Sequence, residues 1–284
     1  MVFRLPRVLP GFGLSALATL ALAAAAGAAR AETKLEARYS VSLLGIPLGT
    51  GSWVVDVTDD TYTMSANGHV TGLLKAFSSG EGAAAVQGSI QNGRVSPNAY
   101  VIHIKTRNKV DEVRMAFAGG AVKQLSVEPP VEPAADRVPL TEAHKRGVVD
   151  PISMGLIPGM GPNGLSPEAC DRKVQAFDGR IRFDLALTYK RTETVKSEKG
   201  YEGPALVCGT RFIPLAGHET GRQGIKSLKE SRDIEIWYAP VAGTRFIAMY
   251  RINVPTGLGT AVLRATRFES TVKAARNTAP PKTQ

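Results

Sequence analysis

The chain has 284 residues, 43% of them hydrophobic, and its 35 lysines and arginines outnumber 25 acidic residues for a formal charge of +10. It holds only two cysteines and four histidines. His69, His103, His144 and His218 are scattered at spacings that suit no metal site, so neither a metal nor a cofactor is expected.

The first thirty-one residues read as a secretory signal. Arg4 and Arg7 make a basic start, an apolar Leu/Ala-rich run extends from about Gly11 to Ala29, and Ala29-Arg30-Ala31 gives the small-x-small pattern cleaved before Glu32. An uncleaved membrane anchor is the alternative, since the run approaches the roughly 18 to 20 apolar residues that span a bilayer. Its many Ala and Gly positions partition weakly into lipid, which favours cleavage. The expected destination is the periplasm. Cleavage removes Arg4, Arg7 and Arg30 and leaves a formal charge of +7. A basic exported chain is attracted to anionic envelope surfaces rather than to nucleic acid, which is not an expected partner. The plainer reading of the charge is solubility.

From Arg38 onward the dominant period is two. Tyr39, Val41 and Leu43 alternate with polar residues, Gly45 to Gly49 interrupts the run, and Trp53, Val55 and Val57 resume it. Further strands are predicted over residues 62–66, 83–90, 98–106, 109–118 and 121–127, with Asn92-Gly93 and Gly119-Gly120 as tight connections. Val70 to Phe77 can form a short helix with Leu73, Leu74 and Phe77 on one side.

Residues 128–169 carry eight of the chain's eighteen prolines. They read as a linker between two strand-rich halves, about 36–127 and 170–268. It contains a short helix over 151–156 with Asp150 as N-cap and Pro151 at N1. Within it Gly159 to Gly164 spells GxGxxG, but no βαβ unit surrounds it and Pro162 lacks the amide a phosphate would need.

Beyond the linker, strands are predicted over 173–177, 181–189, 205–212, 234–238, 245–254 and 260–268, and residues 271–284 as a disordered tail. Asp178-Gly179 suits a type I′ hairpin turn. Past it Phe183, Leu185 and Leu187 share one face, while Arg180, Arg182 and Asp184 share a face read as charged and solvated. The whole is a mostly β protein, a strongly curved antiparallel sheet or open β-barrel or β-spiral with one or two short helices.

In an oxidising compartment Cys170 and Cys208 are expected to pair rather than remain thiols. The bridge would close a loop of about 39 residues, for which the chain-entropy model gives roughly 4 kcal/mol. A thiol nucleophile or metal ligand is the alternative, but neither cysteine has a second ligand-type residue at CxxC or HxxxH spacing.

The segments ARYSVSLLGIPLGTGSW, DPISMGL, CDRKVQAFDGRIRFDL, VCGTRFIPLAGH and IEIWYAP together resemble the exported bacterial family of domain of unknown function 3108, over about Tyr39 to Phe268. The resemblance implies a periplasmic, mostly β protein and no particular activity. A looser analogy connects such proteins to the periplasmic lipoprotein-carrier architecture, a curved sheet around a short helix and an apolar cavity.

Two functional classes follow. The first is a non-catalytic binder of a lipid or other envelope amphiphile, or a support of the envelope and its proteins. Trp53, Leu73, Leu74, Phe77, Phe177, Phe183 and Trp237 are its expected cavity lining, with Arg180 and Arg182 meeting an anionic headgroup at the rim. The second is an envelope hydrolase whose site is assembled only in the fold, with His218 as the candidate base, although no GxSxG elbow marks a nucleophile. A structural subunit of an envelope assembly is a further reading.

Overall fold

The computed structural model describes residues 32–72 and 80–273. The expected signal, the helix residues Leu73, Leu74 and Phe77, and the tail beyond Lys273 lie outside the described residues.

Seven strands follow one another as an antiparallel meander: β1 (Glu32–Leu43), β2 (Ile46–Val57), β3 (Thr61–Val70), β4 (Gly80–Gln91), β5 (Arg94–Thr106), β6 (Val110–Ala118) and β7 (Ala121–Glu128). Alternation of buried and exposed positions along them puts Leu35, Trp53, Tyr62, Val86, Tyr100 and Met115 on one inner face. A second meander contains β9 (Arg172–Phe177), β10 (Arg182–Lys196), β12 (Glu202–Ala216), β13 (Ile234–Pro240), β14 (Phe246–Thr256) and β15 (Gly259–Lys273). Two short strands lie off this path: β8 (Leu156–Pro158) pairs with β14, and β11 (Lys199–Gly200) pairs with β15. Each of the thirteen segments predicted from the period of two matches a strand, with 109–118, 181–189 and 245–254 starting one residue early. The meanders join where β1 pairs with β15, so the first and last strands are neighbours in the middle of one large, open antiparallel sheet with β7 and β9 at its ends.

Turn chemistry sets the hairpins. Asn92 and Gly93 both have positive φ, 51° and 72°, as do Gly119 and Gly120, which suits tight two-residue turns. Two predicted turns differ. The first hairpin turns at Leu44-Gly45 and β2 starts at Ile46, so the expected interruption over 45–49 is mostly strand. The turn after β9 is not type I′, because only Gly179 has positive φ. Asp178 instead uses Oδ1 to accept the N–H groups of Arg180 (2.7 Å) and Ile181 (2.6 Å), the side chain replacing a backbone turn bond.

Residues 128–169 are not a plain linker. Gly147 N–H donates to the Gly120 carbonyl beside β7, and Val149 exchanges backbone bonds with Gln175 and Phe177 of β9, so residues 146–149 bridge both ends of the sheet. Val148, Ile152 and Leu156 then pack inside against the inner face of β1–β7. Asp150 caps this turn as predicted, its Oδ1 accepting the N–H groups of Ile152 and Ser153 at 2.9 Å each, and a 3-10 turn, Ser153–Gly155, replaces the expected helix. Gly155 lies against the Trp53 ring, where a Cβ would come within 3.2 Å. Ile157, Leu165 and Ala169 pack on the opposite side of the second meander, against Phe183, Leu206, Ile236 and Tyr238. The middle of the second meander, from β9 to β14, is therefore buried on both faces.

Cys170 and Cys208 form the expected disulfide in that outer layer, with both residues fully buried and Cα atoms 5.5 Å apart. It ties the covering segment to the middle of β12. A helix not predicted from the sequence, α1 (Gln223–Glu230), lies in the connection from β12 to β13 and turns Ile225 and Leu228 toward the body. No helix among the described residues is long and apolar enough to cross a membrane.

Candidate functional site

The aromatic residues expected to line a cavity are used for packing. Trp237 is 2% exposed, lies between the guanidinium groups of Arg191 and Arg251 (5.6 and 4.7 Å from the ring centre), and donates its Nε1–H to Glu193 Oε2 at 2.8 Å. Trp53 and Phe177 belong to the same inner core. Phe183 does not share a face with them; it packs in the outer layer with its ring centre 5.2 Å from that of Phe212. A strand covered on both sides has no free apolar face, which the alternation along β10 does not reveal.

The two arginines divide. Arg182 is not on a solvated face: it is buried beside Asp184, to which its Nη1 donates, and it also donates to the Phe183 carbonyl. It cannot reach a headgroup at a rim. Arg180 is half-buried at the Asp178-Gly179 turn, donating to Asp111 Oδ1 at 3.0 Å and to the Glu128 carbonyl at 3.4 Å. It lines two cavities at this end of the sheet.

The first of these, about 450 Å³, has Tyr100, Ile102, Ile104, Val113 and Pro151 as its apolar wall. Lys109, Asp111, Asp178, Arg180 and Arg222 form its polar side. The second, about 640 Å³, shares Lys109, Asp178, Arg180 and Arg222 and extends beneath α1 to Ile225 and Leu228. A third cavity of about 510 Å³ adjoins the first through Ile102 and Ile104. Among the described residues, Val41, Leu48, Val70 and Ile152 make it strongly apolar, and Gly49, Gly68, Gly80 and Gly82 leave it room. These volumes fall within the roughly 300 to 1,000 Å³ typical of small-molecule sites.

In the first cavity three cations, Lys109, Arg180 and Arg222, face two acids, Asp111 and Asp178, while the second adds Arg137 with Glu132 and Glu219. Asp111 is shared by Lys109 (2.9 Å) and Arg180 (3.0 Å), and Arg222 forms no ion pair among the described residues. Burial pushes the Asp178 carboxyl up, against the N–H groups and the Arg180 charge that favour its ionised form. An apolar trough that ends in a surplus of positive charge can hold an acyl chain and meet an anionic head.

Among the described residues, no hydrogen bond or ion pair joins the His218 ring to a serine or a carboxylate. His218 is 8% exposed, its backbone carbonyl accepts the Val138 N–H, and its Nδ1 has no hydrogen-bond partner among the described residues. Among those residues, no group of three or more His, Cys, Asp or Glu side chains could hold a metal ion. The GxGxxG match lies in the loop after β8, where the Gly159 N–H bonds the Arg245 carbonyl. The mouth was partly legible in the sequence. Arg180 was found from the turn beside it, whereas Ile102, Ile104 and Arg222 carried no local signal, since only the fold brings them together.

A family model described as protein of unknown function (DUF3108) matches residues 38–266. No curated protein matches the chain. Among solved structures, the fold is similar to the crystal structure of a β-barrel-like protein of domain of unknown function DUF1849 from Brucella abortus, with a TM-score of 0.46 and 11% identity, covering 84% of this chain and 98% of that one.

Proposed function

The chain belongs to the DUF3108 family of proteins of unknown function, and we propose that this member works in the periplasm as a non-catalytic binder of an anionic amphiphile. One observation carries the reading: the apolar cavity bounded by Val41, Leu48 and Ile152 runs through Ile102 and Ile104 into the rim formed by Lys109, Arg180 and Arg222. The disulfide-bonded fold is compatible with export. Burial of an acyl chain would gain roughly 0.8 kcal/mol per methylene before the costs of association are subtracted.

A homologous series of saturated fatty acids tests this. Affinity rises steadily with chain length until the trough is full, and a fatty alcohol of matching length binds more weakly at low salt. Affinity independent of chain length would contradict the reading. The packed interior behind the mouth favours a second reading, a structural subunit of an envelope assembly, which predicts no amphiphile binding at any chain length.

A further inference from the structure

β5 and β9 both run from a second groove toward the mouth, and that groove is of a different chemical kind. The β4–β5 turn and the start of β9 enclose about 840 Å³, with Arg94 on one side and Arg172 on the other. Leu156, Ile157 and Val174 supply apolar surface between them, and Gln91, Asn92 and Ser96 supply hydrogen-bonding groups.

The cations here are not neutralised from within. Arg172 Nε donates to the Ala169 carbonyl at 2.5 Å, which fixes the guanidinium and leaves its Nη groups to the groove. Neither Arg94 nor Arg172 forms an ion pair among the described residues. Lys173 is partly occupied by Asp184, 3.7 Å away, and Asp171 is the single acid on the groove wall. A third guanidinium, that of Arg245, stands beside the turn, its Nη1 3.6 Å from where a Cβ on Gly93 would be. Burial lowers the Arg172 guanidinium below its ordinary value, and the neighbouring Arg94 charge lowers it further. Like charges held close without a counter-charge are costly, and a bound anion relieves that cost.

We propose that this groove is a second binding site, for a ligand that carries a phosphate group, with Arg94 and Arg172 closing on the phosphate oxygens. A phosphate dianion offers several acceptors to planar guanidinium forks and balances two positive charges, which a single carboxylate does not. The apolar floor accommodates an organic substituent. Free phosphate and the phosphorylated headgroup of an envelope lipid present the same chemistry.

Calorimetric titration of the disulfide-bonded mature protein at low salt, with inorganic phosphate and separately with glycerol 3-phosphate, tests the site. Both Arg94→Ala and Arg172→Met are expected to weaken binding about tenfold or more. The Arg94 side chain makes no hydrogen bond or ion pair among the described residues, so its variant keeps the test valid if Arg172→Met is unstable. Equal affinities for the two probes identify free phosphate as sufficient; tighter glycerol 3-phosphate identifies a headgroup. Absence of binding to the wild type, or unchanged affinity in Arg94→Ala, overturns the proposal. Ile102→Asp, at the opposite end, leaves phosphate binding intact, so failure at the mouth and failure in this groove are read separately.

Discussion

Arg182 and Asp184 pair with each other on one side of β10, each only 4% exposed, where the sequence pattern alone suggests a solvated charged face. Removing Arg182 leaves Asp184 buried with only the exposed Lys173 ammonium, 3.7 Å away, as a counter-charge. Arg182→Ala is therefore expected to cost about 3 to 5 kcal/mol, while a double variant with Arg182→Met and Asp184→Leu recovers most of that loss. Urea denaturation of the three proteins checks it; a loss under about 1 kcal/mol in Arg182→Ala would show that the pair is solvated after all.

The disulfide holds the covering segment onto β12. Cys208→Ser is expected to lose about 2 to 5 kcal/mol, and non-reducing peptide mapping of the wild type should recover the segments around Cys170 and Cys208 linked. Free thiols at both positions in protein taken from the periplasm would contradict this.

Much of the sheet was legible from the sequence, because each strand announces itself through local alternation and Asn92-Gly93 can hardly be anything but a turn. Long-range packing was not. Val148, Ile152 and Leu156 are four apart, an interval that reads as helical although the segment forms only a 3-10 turn, so nothing local shows that a proline-rich stretch fills the inner face of the sheet. Phe183 and Trp237 each sit on a well-patterned strand, yet their assignment to opposite layers depends on residues 156–170 folding over the outside. Helix α1 escaped because Ile225 and Leu228 are the only apolar residues in eight positions, too few for a periodic signal.

Asp150 makes stability depend on pH in an unusual direction. Burial raises its carboxyl above the unfolded value of about 3.9. Below that value both states are protonated and no cost arises. As the pH climbs from there toward the raised folded value, the unfolded chain gives up its proton first, and stability falls. Asp150→Asn keeps a carbonyl for the Ile152 and Ser153 N–H groups and removes the titration, so it should flatten the fall that sets in above about pH 4. Asp150→Ala should instead lose about 1 to 2 kcal/mol throughout, as a missing cap does. Identical pH profiles for wild type and Asp150→Asn would sink the argument.

The first described strand begins at Glu32, the residue after the expected cleavage point. Intact-mass measurement of protein from the periplasmic fraction should give a chain that starts there. A full-length mass in the membrane fraction would favour the anchor.

The central claim is that the mouth binds an amphiphile, and the affinity of a fluorescent long-chain fatty acid for wild type and Ile102→Asp tests it most directly. Ile102 lines both cavities of the trough and, although it packs against the inner core, is only half-buried, so a charge there sits at the mouth and blocks the chain. The account predicts saturable wild-type binding that Ile102→Asp abolishes and that Arg222→Ala weakens for anionic probes at low salt only. Wild-type protein that binds no such probe, or an Ile102→Asp variant that binds it as well as wild type, would contradict it.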